Sequence, residues 1–484
     1  MPSRSDSWVI NAGLIVVAIT ALRIVLLAYS QADAFVDEAQ YWLWGQTLDF
    51  GYYSKPPIAA WVIRLTTDLA GSDTAFWIRL PGPVFHGATA LILGVWAARL
   101  FDGPAGWWVA VSYATLPIVG LGSIVMSTDT IMAPFFAAAL LFHSRLLETR
   151  SGRDAALAGL MIGLAFMSKY AAVYFFMGAG LAAIFVPAYR ISIRNLAVLL
   201  AVFAVVISPN IYWNLANDLA TIEHTLDNVD WVRDASPEQR LHFDALLEFF
   251  GSQFAVMGPI LFAALLWMVT RKKDSRVAGL LWLSLPVVVL VCVQALLSRA
   301  YGNWAFAAYL AGTVAVVPWL LANARRFLVA SLVFNTVLVL ALPVATVFAQ
   351  SLTFGRPAPV LIRALGRDEM SRQILDLATN NGAQAVVAVN RDVLADLFLT
   401  GQDSGITVYA LAARGRAKNY YQQKFPYMPD VATSPLFVTR AATVACDGAA
   451  IVPLQTLDTS GGAYQRWTYR AYRLPPGCLP QITY

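Results

Sequence analysis

Two adjacent carboxylates, Asp37 and Glu38, follow the first long apolar run, in Asp37-Glu38-Ala39-Gln40-Tyr41. Eighteen residues further on stands Lys55, in Tyr52-Tyr53-Ser54-Lys55-Pro56-Pro57. A carboxylate at the edge of an apolar segment can take the proton of a hydroxyl as that oxygen forms a new bond. A lysine on the same loop can hold a phosphate as a point charge. Acidic residues are also common at helix starts, where they favour the positive end of the dipole. Taken alone, Asp37 and Glu38 fit that role as well.

Three further sets of polar residues interrupt apolar sequence. Asp129, in Ser127-Thr128-Asp129, precedes an apolar run, so it is either a functional acid or part of a helix cap. Lys169 stands alone between two apolar stretches, in Phe166-Met167-Ser168-Lys169-Tyr170, where a lysine can simply snorkel to an interface. Arg299, Tyr301 and Asn303 open a later run. They can contact a phosphate or sugar, or anchor the run at its boundary. The four histidines, His86, His143, His224 and His242, have no metal-binding spacing. No phosphate-binding Gly-rich loop, dinucleotide fingerprint or hydrolase elbow is present, which gives no support to a cytoplasmic nucleotide-sugar donor.

The elements that carry these residues follow from composition. The chain has 484 residues, of which 58% are apolar and only 13% charged, with mean hydropathy +0.60. Soluble domains have about 25% charged residues, so this chain cannot cover itself with charge in water. Apolar runs occur near residues 8–29, 80–98, 107–122, 130–147, 155–168, 170–188, 195–213, 254–270, 277–298, 304–322 and 327–349. They predict a polytopic α-helical membrane protein with about eleven spans, each needing about 20 apolar residues. The first run is followed by no clear cleavage site and reads as a retained span.

The net charge of +5 fits the positive-inside bias rather than nucleic acid. With a cytoplasmic N-terminus, one set of short loops holds thirteen Lys and Arg, while the much longer opposite loops hold seven. That map places residues 30–79, residues 214–253 and the tail on the outer side. Residues 214–253 are acidic, and Ser236-Pro237-Glu238-Gln239 reads as the start of an interfacial helix.

The division expected is a spanning catalytic domain over 1–349 and a soluble domain over 350–484. The tail has ordinary polarity. Leu361–Ala378 reads as a helix stopped by Asn380-Asn381-Gly382, Ala385–Val389 as a strand, Asp392–Leu399 as a helix and Ile406–Ala410 as a strand, hence a small α/β domain. Cys292 lies in an apolar run. Cys446 and Cys478 lie in the tail, in a compartment that permits a disulfide; a bridge and two free thiols both remain open.

The Asp-Glu-Ala-x-Tyr segment, the Tyr-x-x-Lys-Pro-Pro segment, the Arg79-Leu80-Pro81 start of the next span and Ser168-Lys169-Tyr170 resemble the dolichyl-phosphate-mannose:protein mannosyltransferase superfamily. This is the family 39-like GT-C group, which includes aminoarabinose and galacturonic acid transferases acting on lipid A. The resemblance covers residues 8–349. It implies an inverting transfer from a polyprenyl-phosphate sugar, with Asp37 as base and Glu38 orienting or contacting the acceptor. It also implies Lys55 and Lys169 at the donor phosphate and Asp129 near a metal or the acceptor. One position departs: the aminoarabinose enzyme has Arg where this chain has Gln40.

The expectation is therefore a glycosyltransferase of a bacterial inner membrane, N-terminus cytoplasmic and C-terminus periplasmic. It would act at the periplasmic face on a lipid or saccharide such as lipid A or the lipopolysaccharide core. Lys55, Lys169, Arg299 and Tyr301 are the donor-phosphate candidates. No cofactor is required by the sequence, although the resemblance leaves room for a divalent cation at Asp129. Membrane lipids are expected partners and nucleic acid is not. The alternative is a polytopic transporter or lipid flippase, against which stand the clustering of charge at one face and the lack of inverted repeats.

Overall fold

The computed structural model describes residues 7–219, 221, 224–225, 241–353, 355 and 358–483. The chain divides into two compact units. The first comprises Met1–Ala28, Leu48–Val62 and Arg79–Pro343, and the second Tyr29–Thr47, Ile63–Ile78 and Val344–Tyr484. The second thus contains two stretches of the first polar loop as well as the tail.

Among the described residues, seven helices are long and apolar enough to cross a membrane: Trp8–Ala28, Ala75–Leu100, Thr128–Thr149, Ile193–Ala216, Ser275–Leu297, Gly302–Asn323 and Arg325–Val347. An eighth span is formed if the pair Phe243–Val256 and Pro259–Met268 is counted as one, bent by 110°. The expected count of eleven is not confirmed. Hydropathy registers apolar length but not breaks. The run near 254–270 is broken where Gly258 adopts φ +91° ahead of Pro259, which cannot donate into the preceding turn. The run near 107–122 becomes Gly103–Ala114 and Pro117–Leu121. Gly152–Ser168 has 17 residues and Tyr174–Phe185 has 12. At 1.5 Å per residue the first is about 26 Å long, at the short end of what crosses a bilayer core of about 30 Å, and the second about 18 Å.

The core of the first unit is apolar and aromatic, with Trp96, Tyr113, Phe136, Phe175, Phe262 and Tyr309 fully buried. Phe306–Asn323 is enclosed along most of its length. By contrast, Leu14, Val17 and Val25 on the first helix, and Val333 and Val337 on the last, are exposed, as lipid-facing side chains must be. Helices Gly152–Ser168 and Ile193–Ala216 approach closely through small residues. A Cβ on Gly159 would come within 2.4 Å of the Leu199 carbonyl oxygen.

The second unit holds the sheets. Its strands are β1 (Ala385–Ala388), β2 (Thr407–Ala410), β3 (Leu436–Thr439), β4 (Thr443–Cys446), β5 (Ala449–Ile451), β6 (Gln455–Thr456), β7 (Arg470–Arg473) and β8 (Gln481–Thr483). A five-stranded sheet runs β2-β1-β3-β7-β6 and a three-stranded one β5-β4-β8. Strand β1 is parallel to both neighbours, while β3 and β7 are antiparallel. Helix Arg391–Thr400 makes the crossover from β1 to β2, as a parallel pair requires.

The expected helix–strand–helix–strand order of the tail is present. The first helix begins later than expected, at Arg367, and ends at Asn380 with Gly382 at φ +64°. Cys446 and Cys478 are bonded as a disulfide. The expected helix start at Ser236-Pro237 lies outside the described residues; the helix there is described from Phe243.

Candidate functional site

In the second unit the two acids sit on one short helix, Val36–Gly45, and do different things. Phe35 is extended, and its backbone N–H donates to Glu38 Oε2 at 2.7 Å. Glu38 is fully buried and secures the helix start, as a carboxylate at the third helical position does. Asp37, one residue earlier, faces outward. Its Oδ1 accepts from Arg391 Nη2 at 2.5 Å, and the Asp37 and Arg391 side chains are 48% and 39% exposed. Arg391 Nε donates to Gln40 Oε1 at 3.0 Å. Asp37 and Gln40 are three residues apart and therefore share a helix face. Burial works against the Arg391 charge, but Asp37, with Tyr421 and Tyr41, outweighs it, and the Arg391 pKa is raised.

The helix that carries Asp37 is held by the tail. Asp33 Oδ2 accepts from the Arg367 backbone N–H at 2.8 Å, and the Asp33 N–H donates to the Ala364 carbonyl at 2.9 Å. Trp44 meets Tyr420 edge to face at 5.8 Å. Beneath, Arg367 pairs with the buried Asp396 at 3.2 Å, which also accepts from the Tyr464 hydroxyl. Burial pushes the Asp396 carboxyl up to about 7, while Arg367 and Tyr464 pull the other way. Nothing local in the sequence marks Arg391 or Arg367 for these roles. Their contacts to Asp37 and Asp33 reach back more than three hundred residues.

In the first unit Asp129 and Lys169 come together. Lys169 Nζ donates to both carboxylate oxygens at 2.7 Å, and Asn303 Nδ2 donates to Oδ2 at 2.8 Å. The capping role belongs to Ser127, whose hydroxyl accepts from the Thr130 N–H, so Asp129 is free to pair. Lys169 is therefore an ion-pair partner rather than a lone snorkelling cation. Asp129 offers a poor fit to a divalent cation, because a cation there would have to displace an ammonium. Among the described residues, no three His, Cys, Asp or Glu side chains gather as a metal site. His86 is engaged by Tyr113 and Thr130 instead.

Lys55 lies in the turn before helix Ile58–Ala70, its carbonyl accepting from the Tyr52 N–H at 3.1 Å. That loop is fastened to helix Ile193–Ala216. Asn210 Nδ2 donates to the Phe50 carbonyl at 2.7 Å, and Trp213 Nε1 to Asp49 Oδ2 at 2.6 Å. Asn210 in turn accepts from the Tyr170 hydroxyl, next to Lys169. A Cβ on Gly51 would come within 2.4 Å of the Trp213 ring, so the close approach needs glycine. Arg299 lies against the Tyr301 ring at 6.0 Å, and Tyr301 is largely exposed. Of that group, Asn303 is the member joined to Asp129.

Comparison with known proteins places the chain in a lineage. The family described as dolichyl-phosphate-mannose-protein mannosyltransferase matches residues 54–213. The lipid A galacturonosyltransferase RgtD of Rhizobium johnstonii is 42% identical over 470 residues, covering 96% of this chain and 98% of that protein. Among solved structures, ArnT of Cupriavidus metallidurans in the apo state superposes with a TM-score of 0.61 at 14% identity, over 97% of this chain and 98% of that one. ArnT bound to undecaprenyl phosphate superposes with a TM-score of 0.66 at 13% identity, over 96% and 98%. The fold, a membrane helical bundle with a small sheet-bearing C-terminal part, is shared with ArnT.

Proposed function

Since the chain belongs to the GT-C glycosyltransferases of the lipid A-modifying type, we propose that it moves a galacturonosyl residue from a polyprenyl phosphate to lipid A, with inversion. The observation that carries the reading is end-to-end identity of 42% with a lipid A galacturonosyltransferase. It favours a transferase over the transporter or flippase alternative. Donor and acceptor are both amphiphiles, which suits a membrane enzyme with Asp129 and Asn303 at the first turns of spanning helices. The distribution of Lys and Arg supports an inner-membrane protein with its N-terminus in the cytoplasm and its C-terminus in the periplasm.

Asp37 is the base. It takes the acceptor's hydroxyl proton as the acceptor oxygen bonds to the anomeric carbon. The bond from that carbon to the phosphate oxygen breaks, and the electron pair leaves with the prenyl phosphate. That leaving group is already an anion, so it needs cations rather than an acid; Lys55 and Lys169 are assigned to it, with Arg299 and Tyr301 as further candidates. Asp129 positions Lys169, and Glu38 holds the helix on which Asp37 stands. No step is routed through a metal.

The test is transfer by membranes holding the protein, supplied with polyprenyl-phosphate galacturonate and lipid A. Mass spectrometry should show lipid A gaining one hexuronosyl unit. Lipid A that stays unmodified, with donor intact, would reject the reading.

A further inference from the structure

Resting on the galacturonosyl reading above, we infer that Arg391, held by Gln40 beside Asp37, recognises the carboxylate of the transferred sugar and selects a uronic acid over its neutral counterpart. A hexuronate carries its carboxylate on the ring carbon next to the ring oxygen, and the anomeric carbon lies on the other side of that oxygen. A base that works on a hydroxyl attacking the anomeric carbon therefore lies within one pyranose ring of the carboxylate. Arg391 is in direct contact with that base, Nη2 to Asp37 Oδ1 at 2.5 Å.

Four features suit Arg391 to a second anion. The guanidinium presents five N–H donors in a rigid fork that matches a carboxylate. Its bonds to Asp37 and Gln40 use one donor on each of two nitrogens. The fork is oriented from below by Gln40, which is buried and neutral, so the anchor consumes no charge. Both side chains remain partly open to solvent, with Arg391 39% and Asp37 48% exposed.

The reaction itself supplies the reason for a second partner. In the resting protein Arg391 and Asp37 neutralise one another. As Asp37 takes the acceptor's proton it loses its charge, and the guanidinium is left without an anion. The carboxylate of a uronate fills that place; the hydroxymethyl group of a neutral hexose does not. A site built around a charged group discriminates strongly against an analogue that lacks it.

The experiment compares polyprenyl-phosphate galacturonate with polyprenyl-phosphate galactose as donors to lipid A, using the full-length protein and its Arg391→Gln and Arg391→Lys variants. For Arg391→Gln, kcat/KM falls for both donors because Asp37 loses its partner, but that for the galacturonate donor is expected to fall about 100-fold further than that for the galactose donor. The ratio of the two then collapses. Arg391→Lys should retain part of the preference, and its ratio decides the matter if the Gln variant does not fold. An equal fall with both donors would mean that Arg391 only positions Asp37, and would overturn the inference, as would an unchanged ratio. Wild-type protein that uses galactose and not galacturonate overturns the inference but leaves the transferase reading standing. Wild-type protein that transfers neither sugar overturns the functional reading as well.

Discussion

Replacing Asp129 with Asn should destabilise the spanning unit by an amount that the geometry fixes. The carboxylate receives Lys169 Nζ on both oxygens at 2.7 Å and Asn303 Nδ2 on one at 2.8 Å. The Lys169 and Asp129 side chains are only 15% and 10% exposed, so little solvent screens the pair. The Asn side chain keeps the shape but removes the charge, and it turns an N–H donor toward an ammonium in place of one acceptor. Losing one partner of a buried ion pair costs about 3–5 kcal/mol. In a double-mutant cycle, Asp129→Asn combined with Lys169→Met removes both charges and should recover roughly 2–3 kcal/mol of the sum of the single losses. The assay is equilibrium unfolding of the purified protein in detergent micelles, with the four proteins side by side. An Asp129→Asn loss under about 1 kcal/mol, or additive single losses, would show the pair to be solvated. It would remove the basis for assigning Asp129 as the residue that positions Lys169.

Asp396 makes the second unit sensitive to pH. Its carboxyl is raised to about 7 by burial, against the pull of Arg367 and Tyr464. The folded value lies above the ordinary carboxyl value of 3.8, so folding favours the protonated acid and unfolding stability should fall as pH rises from about 4 to about 7, then level off. Chemical denaturation across that range should show the slope, and Asp396→Asn should flatten it; an unaltered slope would contradict the assignment. The Cys446–Cys478 bridge closes a separation of 32 residues and should stabilise the tail by about 3–4 kcal/mol in the chain-entropy view. Non-reducing mass spectrometry should find the linked peptides, and complete alkylation without reduction would count against them. A C-terminal alkaline phosphatase fusion should be active and a cytoplasmic reporter at the same place silent; the reverse would overturn the topology.

The broad class of the fold is legible because lipid demands long apolar helices, and 58% apolar composition leaves few alternatives. What hydropathy cannot show is where an apolar run turns. The breaks at Thr115-Leu116 and at Gly258 divide runs that read as continuous, and only backbone geometry separates a span from a bent pair. The tail was readable in element order because its turn residues, such as Asn381-Gly382, act locally. The neighbourhood of Asp37 was half readable. Asp37 and Glu38 stand out by type, but their division of labour depends on which carboxylate the Phe35 N–H reaches. Arg391 lies 354 residues away in sequence and carries no local mark. Likewise, Lys169 on its own looks like an interfacial anchor until the fold brings Asp129 to it.

The central claim is that Asp37 is the base, and it is tested most directly by the transfer rate of Asp37→Asn. The measurement is turnover of polyprenyl-phosphate galacturonate onto lipid A at saturating donor, with wild-type, Asp37→Asn and Glu38→Gln proteins matched for folded amount. The Asn variant keeps the shape of the side chain and loses the base, so its turnover should fall by about 100-fold or more, and further than that of Glu38→Gln. An Asp37→Asn protein that transfers sugar at near the wild-type rate would contradict the account.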